Sequence, residues 1–282
     1  MKRLLVGLFA FALLAIVFVF VLAPAAGSQY RLWRDARSIR DYRRAVGALD
    51  TLECGTLLAE ARRYNGQLRE AALRDVFDAA YPWDDDDAGA EVLDVTGSGV
   101  IAVLEIPKLG LNMPICRGLS HAALARGVVH LAGSSLPVGG EGTHCLLAGQ
   151  AGGRFAELLD GIDRLIPGDC FYIQALQDTL IYEVTQLEEL DPEALAAQPL
   201  DAQADLCTLM TARKGGDGRW LVHARRIRRR EVPLDDDTQV LPGWAARLIF
   251  AVPLALAGWI LLMLVEGLRR AVKKRRLRRM KL

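Results

Sequence analysis

The side chains that could do chemistry in this 282-residue chain are few and scattered. Five cysteines, Cys54, Cys116, Cys145, Cys170 and Cys207, show neither a CxxC pair nor a zinc-binding spacing. Outside a cell an odd number leaves at least one unpaired or paired between chains. The four histidines are His121, His130, His144 and His223. Arg219, ahead of an apolar Trp220-Leu221-Val222 run, carries a donor fork suited to a carbonyl or carboxylate. His223 shares its strand face but lies about 13 Å further along, too far to exchange roles with it at one reacting atom. The acidic run Asp84 to Asp87 reads either as a solvated linker or as a calcium-collecting cluster. These residues imply no metal and no cofactor. A net charge of +1 gives no basic footprint for nucleic acid.

The elements around these residues change character along the chain. From about Ser28 to Ala80 the pattern predicts helix: Leu32, Ile39, Tyr42, Val46, Leu49 and Leu52 recur at threes and fours. Tyr81-Pro82-Trp83 and the acidic run end it. From about Gly99 to Arg228 short apolar or β-rich runs follow: Val100–Ile106, Leu146-Leu147, Phe171–Ile173, Ile181–Val184, Leu206–Met210 and Trp220–Val222. Gly139-Gly140, Pro167-Gly168-Asp169 and Gly215–Gly218 separate them as turns. Many short strands at this spacing predict a mainly β barrel, with short helices at His121–Ala125 and Arg154–Leu159.

Two apolar runs are long enough for a bilayer, which takes roughly 20 residues. One runs from about Leu4 to Ala26 after Lys2 and Arg3. The other runs from about Trp244 to Val265, before a tail rich in arginine and lysine. The basic ends predict both termini in the cytoplasm and the segment between them outside the plasma membrane. Ala23-Pro24-Ala25 keeps a cleaved signal peptide open as the other reading of the first run. The tail has a ready role as topology determinant and contact for anionic lipid.

Several motifs fall in an order that resembles the sortases, the membrane-anchored cysteine transpeptidases of Gram-positive bacteria. They are Ile106-Pro107-Lys108, Pro114-Ile115, Gly127-Val128-Val129-His130-Leu131, Ser135-Leu136-Pro137-Val138-Gly139-Gly140, Thr143-His144 and Pro167-Gly168-Asp169. Ala61–Leu68 resembles the AxxYNxxL element that precedes the catalytic domain of class C, pilus-type sortases. The likeness covers roughly Tyr64 to Ile227, and the second membrane span is also typical of that class. It implies an eight-stranded sortase barrel preceded by a helical segment and a lid. The expected division is 1–27 anchor or signal peptide, 28–90 helical segment and lid, 91–232 barrel, 233–243 linker, 244–268 membrane helix and 269–282 cytoplasmic tail.

The resemblance also locates an active site and what is missing from it. Gln150 stands where the family has its histidine, and Ala212 where TLxTC has its cysteine. Arg219 matches the retained arginine, and Thr211 is expected to help it bind substrate. Pro82 and Trp83 match the aromatic lid, with Tyr81 in place of its aspartate. A working relative attacks the Thr-Gly bond of an LPxTG-like signal through a cysteine thioester, which an amine then resolves. Ala212 has no atom to form it, and Gln150 cannot titrate near neutral pH. With Ala151 also departing from the family, the changes read as decay of the site rather than one trapping substitution. His130 and His144 match family histidines outside the catalytic set.

In the family the strands that end at Gln150 and Ala212 are parallel neighbours. Cys145 and Cys207 each sit five residues earlier, on the opposite face, so they are expected close together as a bridge or as two small core residues. Three functional readings follow. The chain is an inactive class C sortase-like protein that binds a sorting signal, a pilin or a partner sortase. Alternatively it is an active transpeptidase with an unrecognised nucleophile, or a structural membrane protein with no peptide-binding role.

Overall fold

The computed structural model describes residues 23–68, 77, 88–118, 120–124, 126–150, 159, 161–196, 204–213 and 216–228. The chain divides into two units. One, Met1–Trp33 with Gln239–Leu282, has only residues 23–33 among those described. The other, Arg34–Thr238, holds the barrel and the site. Among the described residues no helix is long and apolar enough to cross a membrane. The second expected span, nearly all of the first, and the basic tail lie outside the described residues.

Two helices come first, α1 (Ala23–Ala48) and α2 (Thr51–Gln67). The helical pattern expected from Ser28 to Ala80 is divided at Leu49-Asp50. Asp50 is an N-cap: its carboxylate accepts from the Glu53 backbone N–H at 2.7 Å, and the Glu53 carboxylate accepts from the Asp50 N–H at 2.9 Å. This capping box starts a new helix, and its Asp-x-x-Glu signature is present in the sequence. Leu68 caps α2 in an extended conformation, so this helix also stops well before Ala80.

The barrel follows: β1 (Val100–Ile106), β2 (Leu111–Cys116), β3 (Val128–His130), β4 (Thr143–Ala148), β5 (Cys170–Ala175), β6 (Asp178–Leu190), β7 (Asp205–Ala212) and β8 (Arg219–Ile227). They close in the order β1-β2-β3-β4-β7-β8-β6-β5. The expected eight-stranded barrel is therefore present. β2 and β3 carry no strong alternation, so composition alone does not mark them as strands. Short helices α3 (His121–Leu124) and α4 (Pro192–Ala196) lie on connections. The expected helix at Arg154–Leu159 lies outside the described residues, apart from Leu159.

The interior is filled by alternate residues such as Ile101, Phe171, Tyr182, Cys207, Leu209 and Val222, all buried. Phe171 and Tyr182 stack with ring centroids 5.6 Å apart, an arrangement worth about 0.5–1.5 kcal/mol beyond burial. Ile39, Tyr42, Val46, Cys54 and Ala61 of the helices join the same apolar cluster. Tyr42 ties α1 to two strands, donating to the Ile101 carbonyl and accepting from the Leu176 N–H, both at 2.9 Å.

The Ala61–Leu68 motif now has a physical reason. Ala61 is buried against the core. The Asn65 side chain donates to the Leu136 carbonyl at 3.2 Å and accepts from the Leu136 N–H at 2.8 Å, so one amide satisfies both backbone groups. The Tyr64 ring lies against Gly89, where an added Cβ would sit 2.2 Å from it. The spacing thus docks α2 on the Ser135–Gly140 loop and on the 3-10 helix Ala88–Leu93.

Candidate functional site

β4 and β7 run parallel in strict register, from Thr143↔Asp205 through Cys145↔Cys207 to Ala148↔Met210. Beyond β4 the Gly149 N–H still donates to the Met210 carbonyl at 3.0 Å, and the Thr211 hydroxyl donates to the Gly149 carbonyl at 2.7 Å. This register, continued past Gly149, brings Gln150 level with Ala212. Gly149 is required here, because a Cβ would lie 2.7 Å from Leu159 Cγ. The Gln150 carbonyl accepts from the Leu159 N–H at 3.1 Å. Ala151 and most of the following loop lie outside the described residues.

β8 brings in the third position. It pairs antiparallel with β7, and Ala212 faces Arg219 directly. The three sequence-predicted positions, Gln150, Ala212 and Arg219, are therefore neighbours at one end of three adjacent strands. Thr211 is buried, with its hydroxyl committed to the Gly149 carbonyl, so it braces the site strands. Its one proton is used inside the sheet, which leaves only the hydroxyl oxygen for the substrate contact expected of it. Arg219 is 8% exposed. Its Nη1 donates to the Asp217 carbonyl at 2.6 Å and the Gly218 carbonyl at 3.1 Å, which orients the guanidinium at the β7–β8 turn.

An aromatic ring lies against this arginine. The Phe77 ring lies 5.5 Å from Arg219 Cζ, measured to its centroid, in a cation–π contact. Phe77 sits between α2 and the 3-10 helix at Ala88. The helical periodicity puts this residue inside a helix, and the resemblance points to Trp83. Pro82 and Trp83 lie outside the described residues. The sequence signal for Phe77 is weak, since a lone aromatic in a polar stretch fits many roles.

A chain of polar groups crosses four adjacent strands further back on the same face. His144 Nε2 meets Thr208 Oγ1 at 2.8 Å, Thr208 Oγ1 meets His223 Nδ1 at 3.0 Å, and His223 Nε2 meets Glu188 Oε1 at 2.8 Å. The Gln186 amide donates to the other Glu188 oxygen at 3.0 Å. The direction of the chain follows from Glu188. An ionised carboxylate only accepts, so His223 Nε2 donates to it. A neutral imidazole then accepts at Nδ1, the Thr208 hydroxyl donates there, and its oxygen accepts from His144 Nε2. The chain ties β4, β7, β8 and β6 in one row, and Thr208 is 1% exposed. Asp205 fixes the start of β7 in a similar way, accepting from the Tyr182 hydroxyl at 2.9 Å, the Gly140 N–H at 2.8 Å and Arg226 at 3.0 Å.

His130 and the thiols stand apart from the site. His130 is buried, bonded to the Ser134 hydroxyl and Ser135 carbonyl at 3.1 Å each, a structural role as expected. Cys145 and Cys207 are free, buried and on the face of β4 and β7 opposite Ala212. Burial pushes the Cys116 thiol up to about 11 and the Cys54 thiol above its ordinary value.

The comparisons with known proteins agree with this geometry. A sortase-domain family model matches residues 104–227. No curated protein matches the chain. Among solved structures, the pilus-related sortase C of Group B Streptococcus is 31% identical with a TM-score of 0.60, the match covering 67% of this chain and 96% of that one. Sortase C1 of Group B Streptococcus pilus island 1 is also 31% identical, TM-score 0.61, covering 73% and 98%. Sortase C of Streptococcus pneumoniae is 28% identical, TM-score 0.62, covering 70% and 99%. Barrel closure, motif order and these likenesses together place the chain in the sortase family, and it belongs to the class C branch.

Proposed function

We propose that this chain is a class C sortase-like protein of a pilus or surface-protein assembly system that binds its ligand without cysteine chemistry. The observation that carries this reading is the pairing of Ala212 with Arg219 at the end of β7 and β8. The family position for the nucleophile holds a methyl group, while the donor fork beside it is kept and held in place. A thioester needs a sulfur at that position, and loss of a nucleophile costs on the order of 10⁶ in rate in a comparable triad enzyme. The thiols elsewhere offer no substitute: four of the five are buried, and Cys170 begins β5, a strand that does not adjoin β4, β7 or β8.

The ligand is a sorting-signal peptide, a pilin subunit or a partner sortase. The relatives are described as pilus-related and as pilus-island sortases, which supports that class of ligand. In this proposal the two apolar runs anchor the chain in the plasma membrane with the barrel on the outer face. Both termini lie in the cytoplasm unless the first run is cleaved.

The test is a titration of the detergent-solubilised full chain with an LPxTG-type peptide and with pilin, following binding and cleavage together. Binding that Arg219→Ala weakens, without cleavage, supports the proposal. Cleavage would overturn it in favour of a second nucleophile. Absence of both would move the weight to a structural role.

A further inference from the structure

Cys145 and Cys207 are directly paired residues on neighbouring parallel strands. Adjacent strands lie about 4.7–4.9 Å apart, inside the range of roughly 4.4–6.8 Å between Cα atoms that a disulfide spans. Equal register in a parallel pair also sends both side chains to the same side of the sheet, here the barrel interior. Both thiols are free, and they are 2% and 0% exposed. Burial, with Cys145 beside it, pushes the Cys207 thiol well above its ordinary value. The remaining cysteines have no such arrangement: Cys54 lies on α2, Cys116 ends β2 and Cys170 begins β5.

We infer that Cys145 and Cys207 are a dithiol that closes to a disulfide cross-linking β4 and β7, the strands leading to Gln150 and Ala212. The oxidant is an external disulfide, either a small-molecule one or that of a thiol oxidoreductase. In the first step one cysteine thiolate attacks a sulfur of the external disulfide, forms a mixed disulfide and expels one oxidant thiolate. The second cysteine thiolate then attacks the protein sulfur of the mixed disulfide and expels the other. Two S–H bonds are lost, one S–S bond is gained, the external disulfide is reduced to two thiols, and the cysteine protons pass to solvent or to the expelled thiolates.

Timing follows from burial. Exchange needs a thiolate and access to the oxidant. The closed barrel denies the oxidant access to both sulfurs, so the bond forms while β4 and β7 are pairing and only slowly afterwards. The bond would close a loop from residue 145 to residue 207, leaving Ala212 and Arg219 chemically untouched.

The experiment uses the full chain in detergent. It is unfolded and reduced, then refolded either with a mixture of reduced and oxidised glutathione or with reductant alone. Free thiols are blocked with N-ethylmaleimide in denaturant, and peptides are mapped without reduction. The expected result in the oxidised sample is a cross-linked peptide pair joining Cys145 to Cys207, with Cys54, Cys116 and Cys170 alkylated. Native reduced protein given the same mixture should acquire the link at least about tenfold more slowly, since burial keeps the oxidant from both sulfurs. The oxidised sample should also need more denaturant to unfold than the reduced one. Alkylation of both Cys145 and Cys207 after oxidative refolding would overturn the inference. So would a bridge from either to one of the other three. Because the comparison uses the unmutated chain, misfolding of a Cys145→Ser or Cys207→Ser variant cannot obscure the result.

Discussion

Ala212 lies directly opposite Arg219 in the antiparallel pairing of β7 and β8. The donor fork that could hold a developing negative charge is thus kept beside a residue that cannot create one. In the proposed reading, nucleophile loss is a local change, since register, barrel closure and the bracing hydrogen bond from Thr211 are all present around Ala212. This locality makes the site testable by restoration.

Ala212→Cys combined with Gln150→His should place a thiol and an imidazole at neighbouring strand ends beside Arg219. The double variant is expected to form a covalent adduct with a thiol-reactive sorting-peptide analogue, read by intact mass. The unmodified chain should form none at this position. Failure of the double variant to label, with folding intact, would mean that the peptide groove has changed along with the nucleophile.

Phe77→Ala should uncover Arg219. A cation–π contact is worth about 0.5–2 kcal/mol depending on how dry it is, so removing it should shift access to the site by roughly two- to thirtyfold. In an Ala212→Cys background the measurement is the rate of alkylation by iodoacetamide, which should rise. An unchanged rate would show that the ring does not control entry.

Thr208→Val keeps the side-chain shape but removes the hydroxyl that joins His144 to His223. Both imidazole nitrogens lose that partner in a largely buried row, a cost of about 1–3 kcal/mol. Urea unfolding should register this loss, while Thr208→Ser should recover most of it. Equal stability of the valine variant and the unmodified chain would deny the row any bracing role.

Alkaline pH should weaken the fold. Burial pushes the Tyr42 hydroxyl up to about 12 from 10.0 and the Cys116 thiol up to about 11 from 9.0. In each case the folded state holds its proton longer than the unfolded chain. This contribution is complete below the unfolded value, falls as pH rises through the interval and is gone above the folded value. Burial also raises the Tyr182 hydroxyl. Stability, read from denaturation midpoints, should therefore decline between about pH 9 and pH 12, by about 3 kcal/mol for Tyr42 alone. Tyr42→Phe should flatten the part of the decline above about pH 10, the ordinary tyrosine value, with the loss of its two hydrogen bonds.

Residue order alone carries the family frame and the identity of the residues at its three site positions. Motif order and turn residues suffice for this, because Pro-Lys, Gly-Gly and Pro-Gly-Asp breaks act locally, through backbone conformations that few other residues adopt. The parity that separates Cys207 from Ala212 is legible in the same way, since alternation along a strand is a property of the chain. Which residues meet is settled by folding. The break between α1 and α2 is written in Asp50 and Glu53, but the apolar periodicity running across it hides the cap. The role of Asn65 depends on Leu136, seventy-one residues away. Phe77 meets Arg219 across 142 positions of the chain, and no local pattern encodes that contact. The His144–Thr208–His223–Glu188 row exists only because barrel closure sets β4, β7, β8 and β6 side by side, and no spacing within the chain specifies that adjacency.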